Sequence, residues 1–122
     1  MESKNFICGG ALGFDHIAAS MVLLKRQNGM NVRLIIALPC HNQEVKWSER
    51  QKSLHRFLLD EAEEIRYISE EYANDCMKER NHYMVDNSAY CICALSRSFS
   101  GTAQTVRYAK QQGLQVINVA KS

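Results

Sequence analysis

The sequence predicts an α/β fold, a three-layer Rossmann-like sandwich built on a mostly parallel sheet of about five strands. Short runs of β-branched and apolar residues alternate regularly with longer segments of helical periodicity. When a helix separates each strand from the next, the strands run parallel and helices cover both faces of the sheet. The length of 122 residues, 46% of them hydrophobic, fits a single domain over residues 1–122.

Five apolar runs are predicted to form the strands. The run at 32–38 is the clearest, because it is rich in isoleucine and leucine and stops at Pro39, which cannot donate a ladder hydrogen bond. The other strands are expected at 5–8, 65–68, 90–95 and 115–119.

Helices are predicted between the strands, at about 15–28, 46–62, 74–87 and 102–112. Ile17, Met21 and Leu24 follow one another at i, i+4 and i+7, which is the spacing of one helix face. Gly29 and Gly113 stand just past two helix ends, where C-cap glycines occur. The second helix carries a similar stripe that we expect in the core, formed by Trp47, Leu54 and Leu58.

Charge and hydropathy argue against two classes of partner. With 15 Lys and Arg against 13 Asp and Glu the net charge is +2, and no basic block indicates a nucleic-acid surface. No apolar run approaches the roughly 20 residues that span a bilayer, and the N-terminus has no signal-peptide pattern. We therefore expect a soluble, cytoplasmic protein with neither a membrane nor a direct nucleic-acid partner.

The five cysteines, an odd number, are expected to be reduced thiols that pack as small apolar side chains. Cys91 and Cys93 share one face of a predicted strand, but no CxxC pair or paired histidine spacing accompanies them. Cys40 beside His41 does not make a metal site by itself, so no metal site is predicted. The histidines show no mutual spacing typical of a catalytic or metal pair, and we expect them at the surface or behind a site: His16, His41, His55 and His82.

Three polar clusters lie where a predicted strand gives way to a helix. The first covers 9–15 and contains Gly9, Gly10, Gly13 and Asp15. Glycines let backbone N–H groups approach a ligand, and the following helix N-terminus favours an anion. Two interpretations stay open. The turn either binds a ligand, with Asp15 accepting from a sugar hydroxyl or an amino group, or is a tight turn in which Asp15 caps its own helix.

The second cluster, 77–81, places a cation on an apolar helix face. At about 100° per residue, Arg80 and Asn81 share the stripe marked by Met77, Met84 and Val85. A buried arginine needs a partner. Either a carboxylate of the protein pairs with it, or its guanidinium faces a crevice and binds a phosphate or carboxylate of a ligand.

The third cluster, 98–102, crowds hydroxyls and a glycine against a helix start. Ser100, Gly101 and Thr102, with Thr105 one turn later on the inward helix face, are typical of an anion cradle. Serine N-capping explains one of these hydroxyls but not the set. Because the carboxyl ends of parallel strands face one side, we expect the three clusters to meet in one ligand-binding crevice.

Together these segments resemble the SLOG superfamily, which includes the Lonely Guy and DprA/SMF proteins, and within it the YpsA-like branch of bacterial proteins. The resemblance implies a Rossmann-like domain that binds a nucleotide or nucleotide-derived ligand and requires no cofactor. The ligand would lie among the glycine turn, the Arg80–Asn81 helix and the Gly101–Thr102 turn. The resemblance is carried by residues 6–15, 37–40, 77–81, 84–86, 100–102, 105–106 and 108–109.

The chain departs from the family pattern in two places. Lonely Guy phosphoribohydrolases resemble it at Arg80 but carry a catalytic glutamate where this chain has Thr105, so that hydrolysis is not expected. Arg80 and Asp15 are then the candidates for any other catalytic role. Relatives also usually begin with a central strand that ends in a Thr-Gly-His-Arg-like motif, ahead of the strand at 5–8, and we expect a homo-oligomer to cover that gap.

Three functions stay open on the sequence alone. The first is a module that binds a small nucleotide-like ligand. The second is a hydrolase that acts on an N-glycosidic or phosphate bond of such a ligand. The third is a degenerate family member that serves protein association.

Overall fold

The computed structural model describes residues 4–10, 14–40, 44–69, 75–88, 90–93 and 101–118, with backbone alone at 90–93, 101, 102 and 118. Strands and helices alternate along the chain, which confirms the α/β class. The chain divides into two compact units, Met1–Cys76 and Met77–Ser122. The elements are β1 (Lys4–Cys8), α1 (Phe14–Gln27), β2 (Val32–Leu38), α2 (Glu49–Glu61), β3 (Glu64–Tyr67), α3 (Cys76–Asp86), β4 (Tyr90–Cys93), α4 (Gly101–Gln111) and β5 (Gln115–Asn118).

The first unit contains a parallel three-stranded sheet in the order β1-β2-β3. Phe6 lies opposite Leu34 in the β1–β2 pair, and Ile36 lies opposite Ile65 in the β2–β3 pair. All residues from 34 to 38 are buried, because β2 has a strand on either side and α1 packs against it. A continuous apolar run is typical of such a central parallel strand.

The second unit contains a parallel pair, β4 and β5, in which Cys91 lies opposite Val116. Helix α4 packs on both strands and buries Ala103, Val106 and Ala109, so its predicted inward face is confirmed at Val106 and Ala109. Among the described residues, hydrogen-bonded strands form a three-stranded and a two-stranded sheet. A continuous sheet of five strands is therefore not shown.

Helix α1 buries a different face from the one its large apolar residues mark. His16, Ala19 and Val22 are buried against the sheet and α2. Ile17, Met21 and Leu24, which the helical spacing singles out, are instead exposed. Packing of α1 on β1, β2 and α2 therefore decides which stripe becomes the core.

Helix α2 begins at Glu49, three residues later than its apolar pattern suggests. Ser48 is the N-cap: its side chain accepts a hydrogen bond from Gln51 N–H, and the Gln51 side chain accepts one from Ser48 N–H. This capping box fixes the start of the helix. Of the stripe expected in the core, Leu58 is buried but Leu54 is exposed.

The predicted helix ends agree with the backbone geometry. Gly29 and Gly113 have positive φ angles of 92° and 84°, just past the last residues of α1 and α4, which confirms both C-cap glycines. No helix in the described part of the chain is long and apolar enough to cross a membrane.

Candidate functional site

The glycine turn after β1 packs tightly onto the carboxyl end of β2. Gly10 has a φ of 71°, in the left-handed region that favours glycine. A Cβ atom at this position would lie 2.5 Å from Leu38 Cδ2, 3.2 Å from Ile36 Cγ2 and 3.6 Å from His55 Cε1. The turn therefore needs glycine at residue 10 for both conformation and space. Gly13, the third glycine of this cluster, lies outside the described residues.

Asp15 lies inside the first turn of α1 and not at its N-cap, since the helix begins at Phe14. A carboxylate in this position interacts favourably with the positive end of the helix. Burial raises the pKa of the Cys8 thiol to about 12, and the Asp15 charge adds to the effect. Cys8 is thus a protonated, unreactive thiol. Cys8, Cys40 and Cys76 are buried, as predicted for small core side chains.

Two histidines that the sequence does not pair meet in the core of the first unit. His16 Nε2 lies 3.2 Å from His55 Nδ1, and only 4% and 3% of the two residues are exposed. The Trp47 ring stands edge-on to both imidazoles, with centroid distances of 5.5 and 5.0 Å. His16 is also hydrogen-bonded to the backbone of Gly10. Of the two positions expected for these histidines, at the surface or behind a site, the surface is excluded for His16 and His55. Packing of α1 on α2 joins two residues that have no local spacing.

Burial sets the charge of this His–Trp cluster, which consists of His16, His55 and Trp47. Desolvation lowers the pKa of His16, and the Gly10 backbone bond and the Asp15 charge only partly oppose it. Desolvation and the neighbouring His16 lower the pKa of His55, while Glu44 acts in the opposite direction. The neutral pair holds one proton in the hydrogen bond between its rings. The cluster thereby anchors the glycine turn to both helices.

Arg80, in the second unit, is buried as its position on the apolar stripe of α3 predicts. Only 5% of the residue is exposed. Its Nε donates to Asn81 Oδ1 at 2.8 Å, and its Nη2 lies 3.7 Å from Met77 Sδ. Since Asn81 Oδ1 accepts from Arg80, the Asn81 side chain is held in one orientation with its amide Nδ2 group as donor.

Helices α3 and α4 of this unit line an open groove of about 290 Å³, which we call the α3–α4 groove. The groove brings together Asn81 and Thr105, two residues that the sequence selects as ligand-binding. The His82 and Tyr108 rings also line it and stack at 3.8 Å with an interplanar angle of 4°. The remaining lining residues are Lys78, Gln104, Arg107 and Gln111.

The Tyr108 hydroxyl strengthens the link between the two helices. It donates to Asp86 Oδ1 at 2.7 Å, and this hydrogen bond, with smaller effects of burial and the Asp86 charge, raises the pKa of Tyr108. His82, expected at the surface or behind a site, therefore contacts α4, and so does Asp86. The periodicity of α3 does not predict these two contacts, because their common partner, Tyr108, belongs to another helix.

The other predicted site residues are distributed as follows. Gly9, Gly10 and Asp15 belong to the first unit, whereas Arg80, Asn81 and Thr105 belong to the second. Gly101 is the first residue of α4 and Thr102 is the second. Ser100 and the side chain of Thr102 lie outside the described residues. Convergence of the three clusters in one crevice stays a prediction.

Comparison with known proteins identifies the family. The family model YpsA, described as the YspA SLOG family, matches residues 2–118. A curated relative, the uncharacterized SPbeta prophage-derived protein YoqJ of Bacillus subtilis (strain 168), is 33% identical over 123 residues. That similarity covers 90% of this chain and 72% of YoqJ. With its alternating strands and helices and a family match over nearly its whole length, the chain belongs to the YspA SLOG family.

Proposed function

We propose that this protein binds a nucleotide or a nucleotide-derived small molecule. The observation that carries the proposal is the α3–α4 groove, in which Asn81 and Thr105 lie together with the cations Lys78 and Arg107. The sequence predicts Asn81 and Thr105 as ligand-binding residues in two separate clusters, with strand β4 between them in the chain. Their placement in one groove supports a shared role.

The chemistry of the groove suits a phosphorylated ligand. None of its lining residues is acidic, so the charges of Lys78 and Arg107 are available to a phosphate. The Thr105 hydroxyl and the Asn81 amide can bond to phosphate or sugar oxygens. The stacked rings of His82 and Tyr108 offer an aromatic surface to a base.

Arg80 acts in this proposal as a positioning residue. Its hydrogen bond to Asn81 Oδ1 holds the amide nitrogen as the donor that faces the ligand. The phosphate end of the ligand would extend towards backbone N–H groups at Gly101 and Thr102 in the first turn of α4. Gly9, Gly10, Gly13, Asp15 and Ser100 remain proposed ligand-binding residues. The proposal concerns binding and requires no cofactor.

Titration calorimetry against a panel of nucleoside mono-, di- and triphosphates, dinucleotides and ADP-ribose tests the proposal. We expect at least one member to bind, and Lys78→Ala and Thr105→Val each to weaken that binding, about tenfold for the lysine because it loses a charge-assisted hydrogen bond. Lys110→Ala is the matched control, since Lys110 lies on α4, is exposed and does not line the groove. Failure of the whole panel to bind, or equal weakening by Lys110→Ala, contradicts the proposal.

A further inference from the structure

Helix α1 presents an apolar seam on the side opposite its core. Phe14, Ile17, Met21 and Leu24 succeed one another at steps of three, four and three residues, which is the spacing of helix–helix seams. Ile17 is 62% exposed, Met21 48% and Leu24 47%. On the helical wheel these three lie about half a turn from the buried residues of α1. These three side chains therefore do not belong to the core of the unit.

The neighbouring helix α2 also exposes apolar side chains. It packs against α1 and exposes Leu54 and Phe57 at 40% and 53%. The five exposed side chains on the two helices present on the order of 450 Å² of apolar surface, which is about the apolar share of the roughly 800 Å² that each partner buries in a standard-size interface. Scattered exposed apolar residues are ordinary, but a set of this size on two adjacent helices indicates an interaction site.

We propose that this surface, the α1–α2 face, is the contact between two copies of the chain, with the α1 helices antiparallel across a two-fold axis. A two-fold contact pairs a surface with itself, so a seam that is apolar along its length meets its own complement. The antiparallel arrangement brings Ile17 of one copy opposite Leu24 of the other, with Met21 near the axis. Side chains of these types interlock between paired helices.

The charges beside the seam fit a second copy. Ser20 and Gln27 flank it on one side, and Ala18 and Lys25 flank it on the other. Lys25 is thus the one charge that borders the α1 seam, and antiparallel pairing sends the two copies of Lys25 to opposite ends of the contact. A helix that lies on a membrane carries a row of Lys and Arg beside its apolar face, and α1 has no such row.

Sedimentation velocity of wild type and two lysine variants, over a range of protein concentrations, tests this assignment. We expect wild type to sediment as a dimer and Met21→Lys to sediment as a monomer, because the substitution places like charges near the axis. Met30→Lys is the matched control: Met30 is 51% exposed but lies outside the seam, so this variant should remain dimeric. Far-UV circular dichroism should show the same helix content in all three proteins, because both substituted side chains are exposed.

Three results would overturn the assignment: a monomeric wild type, a Met21→Lys variant that stays dimeric, or loss of the dimer in Met30→Lys. A second variant, Leu24→Lys, checks the seam independently of residue 21 and should also be monomeric. Binding of wild type to anionic lipid vesicles with no dimer in solution would assign the face to a membrane and would reject the second copy as its occupant.

Discussion

His16 and His55 share a hydrogen bond of 3.2 Å in the core of the first unit, although 39 residues separate them. The bond needs one proton between the two facing nitrogens. If both rings became imidazolium ions, each facing nitrogen would carry a proton and the bond would be lost. The fold therefore favours the neutral pair, in agreement with the lowered pKa values of both histidines.

We expect the free energy of unfolding to fall as the pH drops below 6.5, the ordinary histidine pKa. Below that pH the unfolded chain binds protons at His16 and His55 that the folded chain excludes, so stability declines until the pH reaches the lowered folded-state values. Urea denaturation at a series of pH values measures the slope. In His55→Gln the decline should be smaller.

Leu58→Ala serves as the control for that measurement. Leu58 is buried in the same helix as His55, so its truncation should lower stability at every pH and leave the slope unchanged. A wild-type stability that does not change between neutral pH and the acidic range would contradict the linkage to the histidine pair.

Gly10→Ala should destabilise the protein by about 1–3 kcal/mol, because a new methyl group meets the buried Leu38 side chain and residue 10 keeps a positive φ. Gly29→Ala separates the two causes. Gly29 also has a positive φ, but nothing lies within 4 Å of an added Cβ, so only backbone strain of about 1 kcal/mol is expected. Equal losses in the two variants, measured by thermal or urea unfolding, would show that the contact with Leu38 relaxes freely.

Ser48→Ala should cost about 1 kcal/mol, because Gln51 N–H loses its capping acceptor at the start of α2. Ser53→Ala is the matched substitution within the same helix. Ser53 is exposed and accepts only a long bond from Arg56, at 3.4 Å, so its effect should stay within about 0.5 kcal/mol. If the two variants unfold at the same urea concentration, Ser48 does not hold the helix start.

The sequence predicts elements whose signals are local. Strand β2 follows from an uninterrupted apolar run ended by Pro39, and two helix ends follow from Gly29 and Gly113. The late start of α2 also had a local signal, the Ser48–Gln51 pair of a capping box, which the apolar stripe obscured.

Contacts between elements were not predictable in the same way. Periodicity identifies α1 as a helix, but it cannot decide which of two stripes packs inward, since that choice depends on the strands beneath it. The His16–His55 pair likewise depends on α1 lying against α2. Of the residues that line the α3–α4 groove, Asn81 and Thr105 could be selected from the sequence because each follows a strand-to-helix junction. The contacts of Tyr108 with His82 and Asp86 could not, because they join two helices.

Glu63 completes the hydrogen bonding of the central strand just before β3 begins. Its carboxylate accepts from Leu34 N–H at 2.5 Å and from Arg26, while its own N–H donates to Leu34 O at 2.9 Å. Burial alone would raise the pKa of Glu63, but the bonds from Leu34 and Arg26 outweigh it and the net pKa is lowered. Leu34 is fully buried, and the Glu63 carboxylate accepts the hydrogen bond from its N–H in place of a carbonyl of a neighbouring strand.

Glu63→Ala should therefore cost about 1–2 kcal/mol, because Leu34 N–H is left without this acceptor. Glu63→Gln, which keeps an oxygen acceptor but loses the charge, should cost less. Glu64→Ala is the control, since Glu64 contacts Arg66 in an exposed pair and should contribute less than about 0.5 kcal/mol. The stabilisation by Glu63 is present above the ordinary pKa of 4.5 and is lost as the pH falls through the lowered value. A wild-type advantage over Glu63→Gln that persists in strong acid would show that the ionised carboxylate is not its source.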